Sequence, residues 1–145
     1  MIDERDLMIL NELRKNAKLS SHALAKKVGL PISTVHRRIK RMEKEGIIKG
    51  YYANVDFEKI GKPIEALILI NLAEGKEYIP LEQVKKELKS IGEIMEILTL
   101  QGGNVDVIAK VRLPNLKNLS SFLETIRSIE GIEEVSCSIV AEELT

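Results

Sequence analysis

Residues 20–45 read SSHALAKKVGLPISTVHRRIKRMEKE, and this stretch decides how the chain is interpreted. A short helical pattern breaks at Gly29-Leu30-Pro31 and continues into a longer one. In the longer pattern Val35, Ile39 and Met42 recur at the spacing that places them on one buried face of a helix. Most of the cations around them must then lie on the opposite face. Two helices joined by a tight glycine turn, the second with a cationic outer face, predict a helix-turn-helix that enters a DNA groove.

A further helix precedes this pair. Asp3 and Asp6 stand at the spacing of a capping box, and apolar residues follow at helical spacing as far as Ala17. This pattern predicts a first helix over residues 4–16. A generic αα-corner in an all-α domain is the alternative, and the cationic face of the third helix argues against it. We therefore predict a three-helix winged-helix/helix-turn-helix DNA-binding domain over residues 1–46.

The outward positions of the third helix fall into two groups. Those near its start carry polar or bidentate side chains that suit base edges, whereas later cations suit phosphates, which position a protein without specifying sequence. The predicted base-reading residues are Ser33, Thr34, His36 and Arg37, and the predicted phosphate-binding residues are Arg38, Lys40, Arg41 and Lys44. A solvated face is the alternative for each cation taken singly. For Arg38 an ion pair with a neighbouring carboxylate is an equal alternative.

The formal net charge of zero conceals an asymmetry. Residues 1–50 hold 12 Lys and Arg against 6 Asp and Glu, and the remainder holds 10 against 16. This split favours a nucleic-acid-binding N-terminal part, although chance segregation of surface charge would also produce it. The single cysteine, Cys137, excludes an internal disulfide and fits a reducing compartment. Without a signal-peptide pattern or an apolar run of membrane length, we expect a cytoplasmic protein with no membrane partner.

Beyond the third helix the apolar period changes from that of helices to that of strands. Residues 47–62 begin with β-branched and aromatic side chains and are predicted to form a hinge that contains a β-strand. A polar loop is expected at 73–80. Residues 63–145 show the order β-α-β-β-α-β, which is the ferredoxin-like arrangement. The predicted fold class is α+β, with the helix-turn-helix domain joined by this β linker to a C-terminal ferredoxin-like βαββαβ domain for effector binding and oligomerisation.

The predicted sheet is apolar on both faces, although two helices cover only one of them. In the first strand Leu67 and Leu69 are opposite in parity to Ile68 and Ile70. A sheet face in contact with water is normally polar, so we predict that a second copy of the chain covers it. At about 25 cal/mol per Å² of buried apolar surface, pairing would be favourable by several kcal/mol before association costs. Paired DNA-binding modules also match the two half-sites of a pseudo-palindrome.

Three stretches resemble one known family. The run VGLPISTVHRRIKRMEKEGIIKGYYANVD resembles the recognition segment and hinge of the Lrp/AsnC (leucine-responsive, feast/famine) transcriptional regulators. IDERDLMILNELRKNAKLS resembles their first helix, and GGNVDVIAKVRLPNLKNLSSFL resembles part of their effector domain. The resemblance extends over essentially the whole chain. It implies binding to double-stranded DNA, homodimers that assemble to higher oligomers, commonly octamers, and an amino acid or related small metabolite bound between dimers.

The resemblance also implies where such an effector binds, near the loop between the second and third strands. The family carries an approximate Thr-Gly-Asp-aromatic-Asp pattern there, and this chain has Gly102, Gly103, Asn104, Val105 and Asp106. The effector-binding residues it implies are Gly102, Gly103, Asn104 and Asp106. Val135 and Cys137 stand where the family often has two ligand-facing threonines, which leaves fewer hydroxyls for a zwitterionic ligand. A plain hairpin turn is the alternative for 102–104.

Three functions follow from these features. The first is a sequence-specific transcriptional regulator tuned by a small ligand, and the second is an architectural protein that wraps DNA with little sequence preference. The polar residues at the start of the third helix favour the first. The third is an enzyme, but no catalytic pairing, phosphate-binding glycine motif or metal-ligand spacing is found. His22 and His36 lie on different helices without accompanying ligands, so we predict no catalytic, cofactor or metal site.

Overall fold

The computed structural model describes residues 1–75 and 79–145. Its elements in chain order are α1 (Glu4–Lys15), α2 (Ser21–Val28), α3 (Ile32–Lys44), β1 (Ile64–Leu72), α4 (Leu81–Lys89), β2 (Ile94–Thr99), β3 (Val107–Leu113), α5 (Leu116–Arg127) and β4 (Ile132–Ile139). The chain divides into two compact units, Met1–Asn54 and Val55–Thr145, and this division lies inside the predicted hinge. Part of the polar loop predicted at 73–80 lies at 76–78, outside the described residues.

The first unit is a bundle of three helices around one apolar core. Ser20 Oγ accepts a hydrogen bond from Ala23 N at 3.1 Å and caps α2. That helix ends at Gly29, whose φ of 69° favours glycine and whose N–H donates to Ala25 O at 2.9 Å. The buried core residues are Ile9, Leu13, Leu24, Ala25, Val28, Val35 and Met42. The predicted three-helix arrangement is confirmed.

Helix α3 begins at Ile32, directly after the glycine-proline turn. Pro31 precedes it with a φ of −59°, which suits the first turn of a helix, and provides no side-chain cap. Val35 and Met42 are fully buried, and Ile39 packs against the same core. The predicted inward stripe therefore fixes which side of α3 remains available to a partner.

Residues 47–62 form no strand, so the predicted β linker is wrong. Lys62 N donates to Phe57 O at 2.8 Å and Gly61 N donates to Glu58 O at 3.2 Å, which are local bonds of a turn. A strand needs a neighbouring strand to pair its backbone groups, and none of the described strands pairs with this range. The β-branched and aromatic residues at the start of this range are therefore not sufficient to form a strand. The rest of the predicted α+β fold class is confirmed.

The second unit is a four-stranded antiparallel sheet in the order β2-β3-β1-β4. Alternate residues of β1 point into a core that also contains apolar residues of α4 and α5. Ile68, for example, lies between Ala109 of β3 and Cys137 of β4, and its side chain is fully buried. Both helices therefore pack on one face of the sheet, which confirms the ferredoxin-like domain.

The opposite face, termed here the outer face, consists of the odd-numbered residues of β1 and their register partners. Across its middle, Leu98, Ile108, Leu69 and Ser136 form a row from β2 to β4. Leu98 is 48% exposed, and Leu67 adds a further apolar side chain in the next row. As strand parity predicted, apolar side chains occur on both faces of the sheet.

One end of the outer face is closed by charged and aromatic contacts. Glu65 is buried and forms ion pairs with Arg112, directly opposite it, and with Lys110, whose Nζ lies 3.7 Å from Glu65 Oε1. The Arg112 guanidinium lies 5.0 Å from the centroid of the Phe57 ring, in cation–π contact. The opposite end, beside the loop between β2 and β3, carries no such cover in the described part of the chain.

Candidate nucleic-acid interface and effector loop

Most of the exposed side chains of α3 form one stripe. They recur at three- and four-residue spacing, so they share one side of the helix. Its members are Ser33, His36, Arg37, Lys40 and Lys44, whereas Thr34 is half-buried at its edge. Ile32 and Glu43 are the other exposed residues of α3, and Glu43 adds a carboxylate beside the second half of the stripe. The stripe places a hydroxyl, an imidazole and a guanidinium in the first half of the helix and two ammonium groups in the second half. Such a surface can contact base edges and phosphates together.

Arg38 and Arg41 flank this stripe and are bonded to carboxylates of α1. Arg38 Nη1 donates to Asp3 Oδ2 at 2.7 Å and to Asp6 Oδ1 at 3.0 Å. Arg41 Nη2 donates to Asp6 Oδ2. The side chain of Asp6 is fully buried, and those of Arg38 and Arg41 are 15% and 37% exposed. The structure thus shows the ion-pair alternative for Arg38 and a corresponding ion pair for Arg41, and the phosphate-binding role of both stays a prediction.

These four residues, Asp3, Asp6, Arg38 and Arg41, are termed the Asp–Arg cluster, and its two carboxylates also cap α1. Asp6 N donates to Asp3 Oδ1 at 2.9 Å, and Asp3 N donates to Asp6 Oδ2 at 3.1 Å. The predicted capping box is therefore present. The same four carboxylate oxygens hold the start of α1 and a full turn of α3.

Electrostatics keeps the Asp–Arg cluster ionised at neutral pH. The backbone N–H of Asp6 and the Arg38 guanidinium lower the pKa of Asp3 to about 2. Burial alone would raise the pKa of Asp6, but the Asp3 N–H and the two guanidinium groups outweigh burial and lower it. The hydrogen bonds from Arg38 to Asp3 and Asp6 raise the pKa of its guanidinium. Each charge is therefore stabilised by its partners.

The exposed stripe and the Asp–Arg cluster meet at a small cavity of about 170 Å³. It is lined by Asp3, Arg37, Arg38 and Arg41. Arg37, a predicted base-reading residue, is therefore a direct neighbour of the cluster. Sequence reasoning identified Asp3 and Asp6 as helix caps and missed their contacts with α3. The available signal was the matching i,i+3 spacing of two acids in one helix and two arginines in another.

In the second unit, the loop between β2 and β3 carries the residues that the family resemblance assigned to an effector. Gly102 and Gly103 have φ values of 85° and 75°, in the left-handed region that favours glycine, and Asn104 is exposed. Asp106 is also exposed, and its Oδ2 accepts a hydrogen bond from Leu72 N at 2.9 Å. Asp106 therefore joins the loop to the end of β1 and still presents a carboxylate to solvent.

A polar row continues from this loop across the outer face. Asn71 Oδ1 accepts a hydrogen bond from Asp106 N at 3.3 Å, and Asn71 lies opposite Glu134 of β4. Val135 and Cys137 lie on the other side of the sheet, where they pack against the core, so the alignment with ligand-facing threonines does not hold here. Sequence reasoning missed Asn71 and Glu134. Only the register of β1 with its neighbours brings them beside Asp106.

Three further properties of the described residues bear on what the protein can bind. Outside 76–78, no group of three or more His, Cys, Asp or Glu side chains is arranged to hold a metal ion. None of the helices in 1–75 and 79–145 has the length and apolarity needed to cross a membrane. A groove of about 320 Å³ lies between the end of α4 and β2, lined in part by Leu88, Ile91 and Ile97. It does not include the loop at 102–106.

Comparison with protein families gives a match for each unit. Residues 2–49 match the model described as winged helix-turn-helix DNA-binding. Residues 65–145 match the model described as the Lrp/AsnC ligand-binding domain. These matches agree with the exposed stripe on α3 in the first unit and with the glycine loop in the second.

Similar proteins are found over nearly the whole chain. The HTH-type transcriptional regulator FL11 of Pyrococcus furiosus is 36% identical over 140 residues, which cover 97% of this chain and 89% of that protein. The leucine-responsive regulatory protein of Haemophilus influenzae is 33% identical, covering 99% and 86%. Among solved structures, a Neisseria meningitidis transcriptional regulator in complex with L-Met has a TM-score of 0.90 at 25% identity, covering 100% and 93%.

Proposed function

The chain belongs to the Lrp/AsnC family of transcriptional regulators, and we propose that it reads its DNA site through the exposed stripe of α3. The matched domains make it a DNA-binding regulator with a ligand-binding domain rather than an enzyme. The observation that carries the proposal is the order of side chains along α3. Polar and bidentate groups precede a cationic second half, and this order suits base reading followed by phosphate contact.

Within this stripe we assign separate roles. Ser33, His36 and Arg37 read base edges, with Arg37 able to form two hydrogen bonds to a guanine, and Thr34 contributes from the half-buried edge. The exposed ammonium groups of Lys40 and Lys44 bind phosphates. Because Arg38 and Arg41 are bonded to α1, we assign them to holding the helix and not to the principal phosphate contacts.

The test is selection of binding sites from random-sequence DNA, followed by titrations of selected and unrelated duplexes. For Arg37→Ala we expect about tenfold to hundredfold weaker binding to the selected site and little change on unrelated DNA. The matched control is Lys44→Ala, which should weaken both by similar factors and reduce the salt dependence. Equal losses for Arg37→Ala on both duplexes would make it a phosphate contact. Failure to select any sequence would favour the architectural function.

We further propose an amino acid or related small metabolite as the effector. Support comes from the ligand-binding domain and from the similar regulator solved with L-Met. The proposed site consists of Gly102, Gly103, Asn104 and Asp106, to which the structure adds Asn71 as a neighbour of Asp106. The exposed carboxylate of Asp106, with the amide of Asn104 in the same loop, suits the ammonium end of such a ligand.

A panel of amino acids tests this site by calorimetry on the intact chain. Asp106→Asn should weaken the tightest-binding amino acid by about tenfold or more, because it removes the charge opposite the ammonium group. The amide oxygen can still accept the hydrogen bond from Leu72 N, so the loop should keep its shape. Gln101→Ser, which is exposed in the same loop but lies outside the proposed site, is the control for a general change in the turn. Unchanged binding in Asp106→Asn would remove Asp106 from the site.

The outer face supports a proposal about assembly. Leu67, Leu69, Leu98 and Ile108 form an apolar area that a second copy of the chain would cover. We propose a homodimer built on this face, with further assembly to an octamer as the expected size. A regulator of this kind acts where the DNA is, and we propose the cytoplasm.

A further inference from the structure

We infer that Asp6 is a positioning residue for DNA recognition: by binding Arg38 and Arg41 together, it holds α3 in the pose that specific reading requires. This inference rests on the proposed function, because it concerns how the exposed stripe is presented to DNA. It assigns a DNA-binding role to a fully buried side chain of the first helix.

Within the Asp–Arg cluster, the Asp6 carboxylate binds α3 at two points, and this arrangement is termed the two-point contact. Arg38 and Arg41 are three residues apart, so they stand one turn apart on the same side of α3. Each bonds a different oxygen of the single Asp6 carboxylate, Arg38 at Oδ1 and Arg41 at Oδ2. One bond alone would leave α3 free to roll about it. Two bonds separated by a turn restrict both rolling and sliding of α3 against α1.

The two-point contact lies next to the proposed base-reading residue Arg37. Arg37 adjoins Arg38 in sequence and lines the same cavity as Asp3, Arg38 and Arg41. Bidentate contacts to a base tolerate only small errors, because hydrogen bonds weaken steeply away from their preferred distance and angle. A small roll of α3 would therefore cost Arg37 its base contact, while Lys40 and Lys44 on long flexible stems would still reach phosphates.

The composition of the cluster is poorly suited to stability alone. Asp6 is a fully buried charge, and the Nε atoms of Arg38 and Arg41 are buried without a hydrogen-bond partner among the described residues. Apolar side chains of similar volume often stabilise a small core as well as a buried ion pair does. Unlike apolar contacts, directional hydrogen bonds favour one rotation of α3 about its own axis.

Charge gives a clear way to separate positioning from general electrostatics. Asp6→Asn removes one negative charge from a DNA-binding unit, and electrostatics alone would strengthen binding to every duplex. Positioning predicts instead that binding to the selected site weakens relative to unrelated DNA. Glu12→Gln is the matched control, because Glu12 lies on the same helix and pairs with Lys15 and Lys27 outside α3.

The experiment measures both affinities for the intact chain and its variants, using the site selected by the unaltered protein. For Asp6→Asn we expect the ratio of specific to unspecific affinity to fall about tenfold, and for Glu12→Gln to stay within about twofold. An unchanged ratio in Asp6→Asn would overturn the inference. Failure of the unaltered protein to select any site would instead overturn the proposed function.

A second variant covers the case in which Asp6→Asn does not fold, as judged by circular dichroism at the assay temperature. Arg41→Lys keeps the positive charge but replaces the planar guanidinium, so it weakens the bond to Asp6 Oδ2 while Arg38 keeps the bond to Oδ1. Its specific-to-unspecific ratio should fall by about threefold to tenfold with unspecific affinity maintained. A wild-type ratio in folded Arg41→Lys would overturn the inference.

Discussion

The two units of this chain, the helical unit Met1–Asn54 and the sheet unit Val55–Thr145, differ in where a buried carboxylate lies. In the helical unit a carboxylate, Asp6, is fully buried between α1 and α3 and binds two arginines. In the sheet unit the helix-covered core is apolar, and the buried Glu65 pairs with Arg112 on the outer face. The helical unit therefore uses charge to orient its functional surface. The sheet unit leaves an apolar area on its outer face, which we propose a second copy of the chain covers.

The largest expected effect is the loss of the buried acid. Asp6→Ala leaves Arg41 without its carboxylate and Arg38 with Asp3 alone, and it removes half of the α1 capping box, so we expect about 3–5 kcal/mol lower stability of the helical unit. Denaturant unfolding of the intact chain, followed by NMR signals from each unit, measures it. The sheet unit should unfold as before. A loss under about 1 kcal/mol would mean that the cluster contributes little.

The second effect concerns the outer face. Leu69→Lys places a charge at its centre, and we expect association to weaken by at least about 2 kcal/mol, roughly thirtyfold in the dissociation constant. Native mass spectrometry across a concentration series measures the shift. Leu116→Lys is the control, since Leu116 is 57% exposed on α5 and lies away from the outer face. Equal effects of the two changes would argue against the outer face as the interface.

The smallest effect is a dependence on acid. Asp3 and Asp6 have a lower pKa in the folded unit than in the unfolded chain, so their contribution is complete above about pH 4. It is lost as the pH falls through the folded pKa, which for Asp3 is about 2. Amide exchange of the intact chain should show the helical unit losing protection between about pH 4 and 2.

The matched variant for this titration is Asp3→Asn, which keeps a good N-cap but has no carboxyl to titrate. The amide protection of its helical unit should fall less steeply with decreasing pH than that of the unaltered chain. Between pH 5 and 8 the protection of each protein should not change with pH, and the variant should be the less protected of the two because it lacks the ionised carboxylate. Identical acid profiles would show that other carboxyl groups govern acid unfolding of this unit.

Patterns within one element were readable from the sequence. The i,i+4,i+7 stripe of Val35, Ile39 and Met42, the turn at Gly29, and the order of strands and helices all rest on contacts between near neighbours in sequence. Such contacts follow from helix and strand periods. The Asp3–Asp6 capping box was predicted for the same reason, since both residues lie in a single helical turn.

Features that depend on distant parts of the chain were not readable. The partners of Arg38 and Arg41 lie 32 to 35 residues earlier, and the matching i,i+3 spacing of the acids and the arginines does not by itself select this pairing over other carboxylates of the chain. The range 47–62 has the composition of a strand but pairs with none of the strands in residues 1–75 and 79–145. The faces of Val135 and Cys137 depend on pairing with β1, where one residue of register exchanges the core for the outer face.

The Asp–Arg cluster also limits how this recognition helix can be reused. Transfer of α2 and α3 alone into another scaffold would carry every proposed reading residue but leave behind the carboxylates that orient them. A chimera should therefore include the first turn of α1, with Asp3 and Asp6, to keep its preference for sequence. In this protein the smallest transferable unit of recognition is discontinuous, since it pairs a turn of one helix with a turn of another.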